Sequence, residues 1–202
     1  MIITPSTLKK RRSPQALRNF VIEIKDSVRA NYEELRLGIQ KRGLYKEFLE
    51  EIVPLSLFAP LIYPESHEIQ PVLGNQGYDA LVFDEMGKEI DRIEMTIPHD
   101  GNAAVKDVKL IVDRGYGQFK VGNPGDDLNA IFPYVLDNCR KKAIKDYYDC
   151  TLVVAIEPMP PFKSFESQYE KQIKVLVSEM TKIIFKAKRV FLFALPDRVI
   201  KL

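Results

Sequence analysis

The spacing of apolar positions along this chain changes several times, and each change marks a new element. Over residues 14–40 apolar side chains recur at Leu17, Phe20, Val21, Ile24 and Val28, the three-to-four spacing of a helix with one buried face. Gly43 interrupts the pattern, and a second helix is expected over 44–57, bent or ended by Pro54. Residues 67–73, 78–83 and 90–97 then read as three strands, the last two joined by a short polar connection containing Gly87. A turn is expected at 98–102, a helical stretch at 103–112 and a glycine-rich loop at 115–125. The loop does not match a phosphate-binding loop, since no Gly-Lys-Ser/Thr ends it. A helix over 131–147 follows, with Phe132, Val135, Leu136, Cys139, Ala143 and Tyr147 on one face. After it come a buried-type strand at 151–156, a stiff proline-containing loop at 157–162, a helix over 165–186 and a last apolar strand at 189–195.

The predicted order is helix, three strands, helix, strand, then one more helix and strand. A meander of antiparallel strands followed by crossover helices implies an α/β fold, a mixed β-sheet with helices on both faces. At 202 residues the chain is expected to form a single domain over 1–202, in which 44–156 hold the second helix, the three strands and the helix and strand that follow. A basic arm and long N-terminal helix occupy 1–43, and a C-terminal helix and strand occupy 157–202. Lys9, Lys10, Arg11 and Arg12 give the arm its charge; it is expected to be loose, either solvated or touching phosphate.

Composition narrows the function classes. Net charge is only +2, so bulk electrostatics does not demand nucleic acid, and any attraction to phosphate must come from local clustering. Cys139 and Cys150 fit no zinc spacing, and with no apolar signal core at the start they are expected to stay reduced in the cytoplasm. The most apolar run, 52–63, is about half the length a membrane helix needs and contains Pro54 and Pro60, so no membrane partner is expected.

The chemistry concentrates in the hairpin. If its turn is centred on Met86-Gly87, paired residue numbers sum to 173, and Asp79 stands opposite Glu94. Directly opposed residues on antiparallel strands have Cβ atoms about 5 Å apart on the same face. Thr96 shares that face because strand side chains alternate. Two carboxylates at that distance repel by about 3 kcal/mol at an effective dielectric near 20, which solvent, a proton or a divalent cation would relieve. A register slip of one would instead send the two acids to opposite faces.

Those residues and that element order resemble the PD-(D/E)XK nuclease superfamily, the restriction-endonuclease-like fold with an αβββαβ core. Its motif is an acid at the start of strand two, then an acid, any residue and a lysine on strand three. Asp79 takes the place of the first acid and Glu94-Met95-Thr96 that of the second group, a variant with Thr96 where the family carries lysine. The chain also resembles members that move the lysine to the following helix, where Lys142 and Lys145 stand before Tyr147. Helix one in such proteins contributes a further acid, for which Glu47, Glu50 and Glu51 are candidates, Glu51 nearest the apolar stretch. His99 is a candidate base or phosphate contact, or simply a loop histidine.

The resemblance implies Mg²⁺ or Mn²⁺ held by Asp79, Glu94, the Met95 carbonyl and Glu51, with Thr96 and Lys142 or Lys145 completing the catalytic set. It implies metal-dependent phosphodiester hydrolysis of nucleic acid, DNA first, by a protein that could act as a homodimer. The competing reading is a nuclease-like scaffold without catalysis that binds nucleic acid or protein. An unrelated α/β enzyme with a small-molecule substrate ranks last, since no nucleophile–base pair or cofactor loop stands out.

Overall fold

A computed structural model describes residues 2–74, 76–98, 124–156 and 166–202. The expected helix at 103–112, the loop at 157–162 and His99 lie outside them. So does the loop at 115–125, except its last two residues, which open a helix.

The N-terminal arm is not loose. Thr4 caps a short helix α1 (Pro5–Leu8), and Ile3 and Leu8 are fully buried. The Arg12 backbone then exchanges hydrogen bonds of 3.0 and 2.7 Å with Ile69. The Arg11 guanidinium lies 3.5 Å above the Phe83 ring and that of Arg12 lies 3.7 Å above Phe20. Stacking on aromatic faces, which sequence spacing does not reveal, fastens half of the basic cluster.

The long helix expected over 14–40 is two, α2 (Pro14–Arg29) and α3 (Tyr32–Ile39). Asn31 makes the break: its backbone is extended and its side chain accepts the Glu34 amide at 3.1 Å, a start signal for a new helix. The next segment runs through α4 (Leu44–Glu47), a π-turn (Phe48–Ile52) and α5 (Val53–Ile62) without ending at residue 57. Val53 donates to the Phe48 carbonyl five residues back. Pro54 has no amide to give and its ring crowds the preceding turn; the widened turn ahead of it accommodates both.

Six strands form one sheet in the order β1 (Glu68–Pro71), β2 (Ala80–Phe83), β3 (Glu89–Thr96), β4 (Tyr147–Ile156), β5 (Ala187–Ala194) and β6 (Arg198–Lys201). β1–β2–β3 and β5–β6 pair antiparallel, while β3–β4 and β4–β5 pair parallel. The sheet is therefore mixed, as expected, and β6 is an addition. Helices α6 (Pro124–Ala143) and α7 (Glu166–Met180) precede β4 and β5.

Strand alternation divides the apolar residues between two cores. Ile93, Met95, Val153, Ala155, Phe191 and Phe193 pack against the N-terminal helices. Leu152, Val154, Ile156, Val190 and Leu192 pack against Val135 and Cys139 of α6 and Ile173 and Leu176 of α7. Helices cover both faces, and β3 lies third from one edge with its Glu94 side turned towards α6.

Candidate active site

Over residues 80–82 the hairpin has the register of the 173 sum, while Asp79 itself lies just outside the paired residues. Ala80 pairs with Ile93, Leu81 with Arg92 and Val82 with Asp91; the shift comes only at Phe83, next to the turn. Gly87 supplies the turn with φ 75°, and the Asp84 carboxylate accepts the Met86 and Lys88 amides, both at 2.9 Å. Ala80, Val82, Ile93 and Met95 all enter the N-terminal core, so Asp79, Glu94 and Thr96 fall on the other face. Asp79 sits one residue ahead of β2, its amide donating to the Ile93 carbonyl at 2.7 Å. Its carboxylate accepts the Met95 amide, also at 2.7 Å.

Helix α6 lies along β3 and brings it two polar partners. The Lys142 ammonium pairs with Glu94 Oε1, and one turn earlier Asn138 Oδ1 accepts the Thr96 hydroxyl at 3.1 Å. Four helical residues rise about 6 Å and two strand residues about 6.6 Å, so a 138/142 pair on the helix matches a 96/94 pair on the strand. Tyr147 donates its hydroxyl to the same Glu94 oxygen at 3.2 Å, and its ring centroid lies 5.8 Å from the Lys142 ammonium. Glu94 is only 8% exposed, so its charge depends on these partners rather than on water.

The π-turn carries Glu51. Its carboxyl is pushed up to about 8, by burial first and then by the charges of Asp79, Glu47 and Glu94. Burial, and next the Glu94 charge, push Asp79 up to about 7, against the pull of the Met95 amide and of Lys142. Burial and Glu94 likewise raise the Tyr147 hydroxyl. Glu51 and Asp79 thus both feel the charge of Glu94, and at Asp79 the Lys142 ammonium offsets part of it. Glu50 is paired with Lys41 at 2.7 Å, whereas Glu47 keeps one buried carboxylate oxygen without a hydrogen-bond partner among the described residues.

Two expected placements change. Helix α6 ends at Ala143, four residues early, and Tyr147 opens β4 instead of closing the helix. Lys145 consequently sits in the connecting turn, exposed, and makes no contact with Glu94 among the described residues. Of the two candidate lysines the structure brings only Lys142 to the acids. Met95 has its side chain in the N-terminal core and its amide on Asp79. Among the described residues no group of three or more His, Cys, Asp or Glu side chains is arranged to hold a metal ion.

Sequence reasoning missed a second polar centre. Asp91, 4% exposed and two positions before Ile93 on the N-terminal core side, accepts Tyr63 Oη at 2.6 Å and Thr151 Oγ1 at 2.8 Å. It also pairs with Arg189, and with Lys188 at 3.1 Å. Burial alone would raise its carboxyl; these hydrogen bonds and the Arg189 charge outweigh burial and hold it below the usual range. The available signal was a lone acid in phase with the apolar side of a strand, together with Arg189 in phase with Phe191 and Phe193.

Among the described residues no helix is long and apolar enough to cross a membrane. Comparison with protein-family models, with curated proteins and with solved structures finds no match to this chain.

Proposed function

We propose that the chain is a metal-dependent phosphodiesterase that cleaves nucleic acid, DNA first, with a restriction-endonuclease-like αβββαβ core. One observation carries the reading: Lys142 from α6 reaches Glu94 beside Asp79, so an ammonium stands by the acids although strand three has Thr96 in the lysine position. The donor chemistry fits a hard cation. Asp79 and Glu94 offer carboxylate oxygens, to which the resemblance adds the Met95 carbonyl and Glu51, and waters with a substrate phosphate would supply the remaining ligands. Asp79, raised by burial and then by the Glu94 charge, is an acid whose charge a cation would relieve.

Bound there, Mg²⁺ or Mn²⁺ supplies Lewis acidity to the phosphate and lowers the pKa of water. The remaining work falls to the chain. The Met95 amide fixes the Asp79 carboxylate, and Tyr147 fixes Glu94. Lys142, tethered by its pair with Glu94, is placed to meet negative charge building on the phosphate. Thr96, whose hydroxyl proton is given to Asn138, can accept a hydrogen bond from a water but brings no charge.

The test is cleavage of plasmid DNA, single-stranded DNA and RNA by the full chain with Mg²⁺ or Mn²⁺. Glu94→Gln and Lys142→Met are expected to lose about 10²-fold or more, the usual cost of one electrostatic group in such a site. Lys145→Met should retain near wild-type rates. Full activity in Glu94→Gln would overturn the proposal.

A second reading is favoured by the same ion pair. Because Glu94 is already neutralised by Lys142, the scaffold could bind nucleic acid or a protein without catalysis. It predicts binding that does not change when Mg²⁺ is replaced by a chelator.

A further inference from the structure

Residues of α2, α3 and the start of the 44–62 helix line an open pocket of about 220 Å³. Its walls are apolar, formed by Val28, Leu35, Ile39 and Phe48 among others. Tyr45 contributes its ring, while its hydroxyl is spent on Glu34. Gly38 leaves the floor open; a Cβ there would meet only ordinary contacts at 3.6 Å or more. The rim carries Lys25 and Arg29, four residues apart and so on one flank of α2. Arg29 is shared with Asp26 at 3.3 Å, whereas Lys25 has no carboxylate partner among the described residues.

An apolar well with a free ammonium at its mouth is complementary to a small amphiphile with an anionic head. We infer that this cavity binds a short- to medium-chain carboxylate, its tail in the well and its head on Lys25 and Arg29. The inference does not rest on the nuclease reading, since none of these residues belongs to that site. Phe48 and Leu49 do lie in the π-turn that carries Glu51, so an occupant would press on the same turn.

The test titrates the full chain with butanoate, hexanoate and octanoate by calorimetry, alongside octanol and octylamine. Each methylene should tighten binding about fourfold until the well is filled. Octanol should bind about tenfold more weakly than octanoate, for want of the charge-assisted contact, and octylamine more weakly still. Lys25→Ala should close the gap between octanoate and octanol. Gly38→Leu, which fills the well and suits a helix, should abolish binding with the circular dichroism unchanged; Leu35→Phe serves if that variant does not fold. No saturable octanoate binding, equal affinity for octanol and octanoate, or binding that survives both filling variants would each overturn the inference.

Discussion

Replacing Asp79 by asparagine should make the protein more stable, and only above mildly acidic pH. In the unfolded chain an aspartate titrates near 3.9, whereas in the fold burial and Glu94 push Asp79 up to about 7. The folded state therefore holds this proton more tightly than the unfolded state does. Stability falls as pH rises from about 4 to about 7, and the full penalty is present above that. Three units at about 1.4 kcal/mol each set an upper limit near 4 kcal/mol. Asp79 is half-buried, so water screens part of this, and about 1–3 kcal/mol is the expected size. Asparagine keeps an oxygen for the Met95 amide, which isolates the charge from the hydrogen bond. Urea unfolding of both proteins at pH 5, 6.5 and 8 measures the difference. Asp79→Asn should gain progressively on wild type across that series with an unchanged m-value. A variant that is less stable at pH 8, or a difference independent of pH, would refute the account of these acids as mutually repelling. The same assay reaches function: a cation at ten times its Kd should stabilise wild type by about 1.4 kcal/mol and the variant by much less.

Other expectations follow from the same contacts. Glu51→Gln should also stabilise the protein, over a window reaching about one pH unit higher, since Glu51 is pushed up to about 8; unfolding at pH 7 and 9 would show it. Lys142→Ala should cost about 1–3 kcal/mol by leaving Glu94 buried with only Tyr147, and its cost should shrink in a Glu94→Gln background, a coupling that a double-mutant cycle reads directly. Lys142→Ala combined with Thr96→Lys should recover part of any nuclease activity lost in Lys142→Ala alone, because the ammonium returns to strand three. Asp91→Ala should be the most damaging change, about 3–5 kcal/mol in chemical unfolding, because it deprives half-buried Arg189 of its carboxylate and the Tyr63 and Thr151 hydroxyls of their acceptor.

The hairpin register was legible because strands have a period of two. Once Ala80, Val82, Ile93 and Met95 are assigned to one core, Asp79 and Glu94 have only the other face left. The mixed sheet followed from the order of elements. What sequence concealed was local competition. Asn31 resembles any polar helix residue until its side chain is seen capping the next helix. Pro54 signals a helix end, but a π-turn absorbed it. Basic residues at 140–145 extend the helical pattern smoothly, and nothing in them marks a stop at Ala143, so the pattern places Lys145 and Tyr147 on a helix that ends before them. The Asp91 centre depends on Arg189, about a hundred residues away, and periodicity carries no information about which buried ions meet.

The bridge between Arg12 and Ile69 has a consequence for handling the protein. β1 is the outermost strand on its side, and a bare outer strand is a template for joining another molecule's sheet. By occupying part of that margin, the first dozen residues act as a built-in guard. A version shortened to begin at Ser13 should associate with itself and sediment as larger species, whatever its catalytic fate.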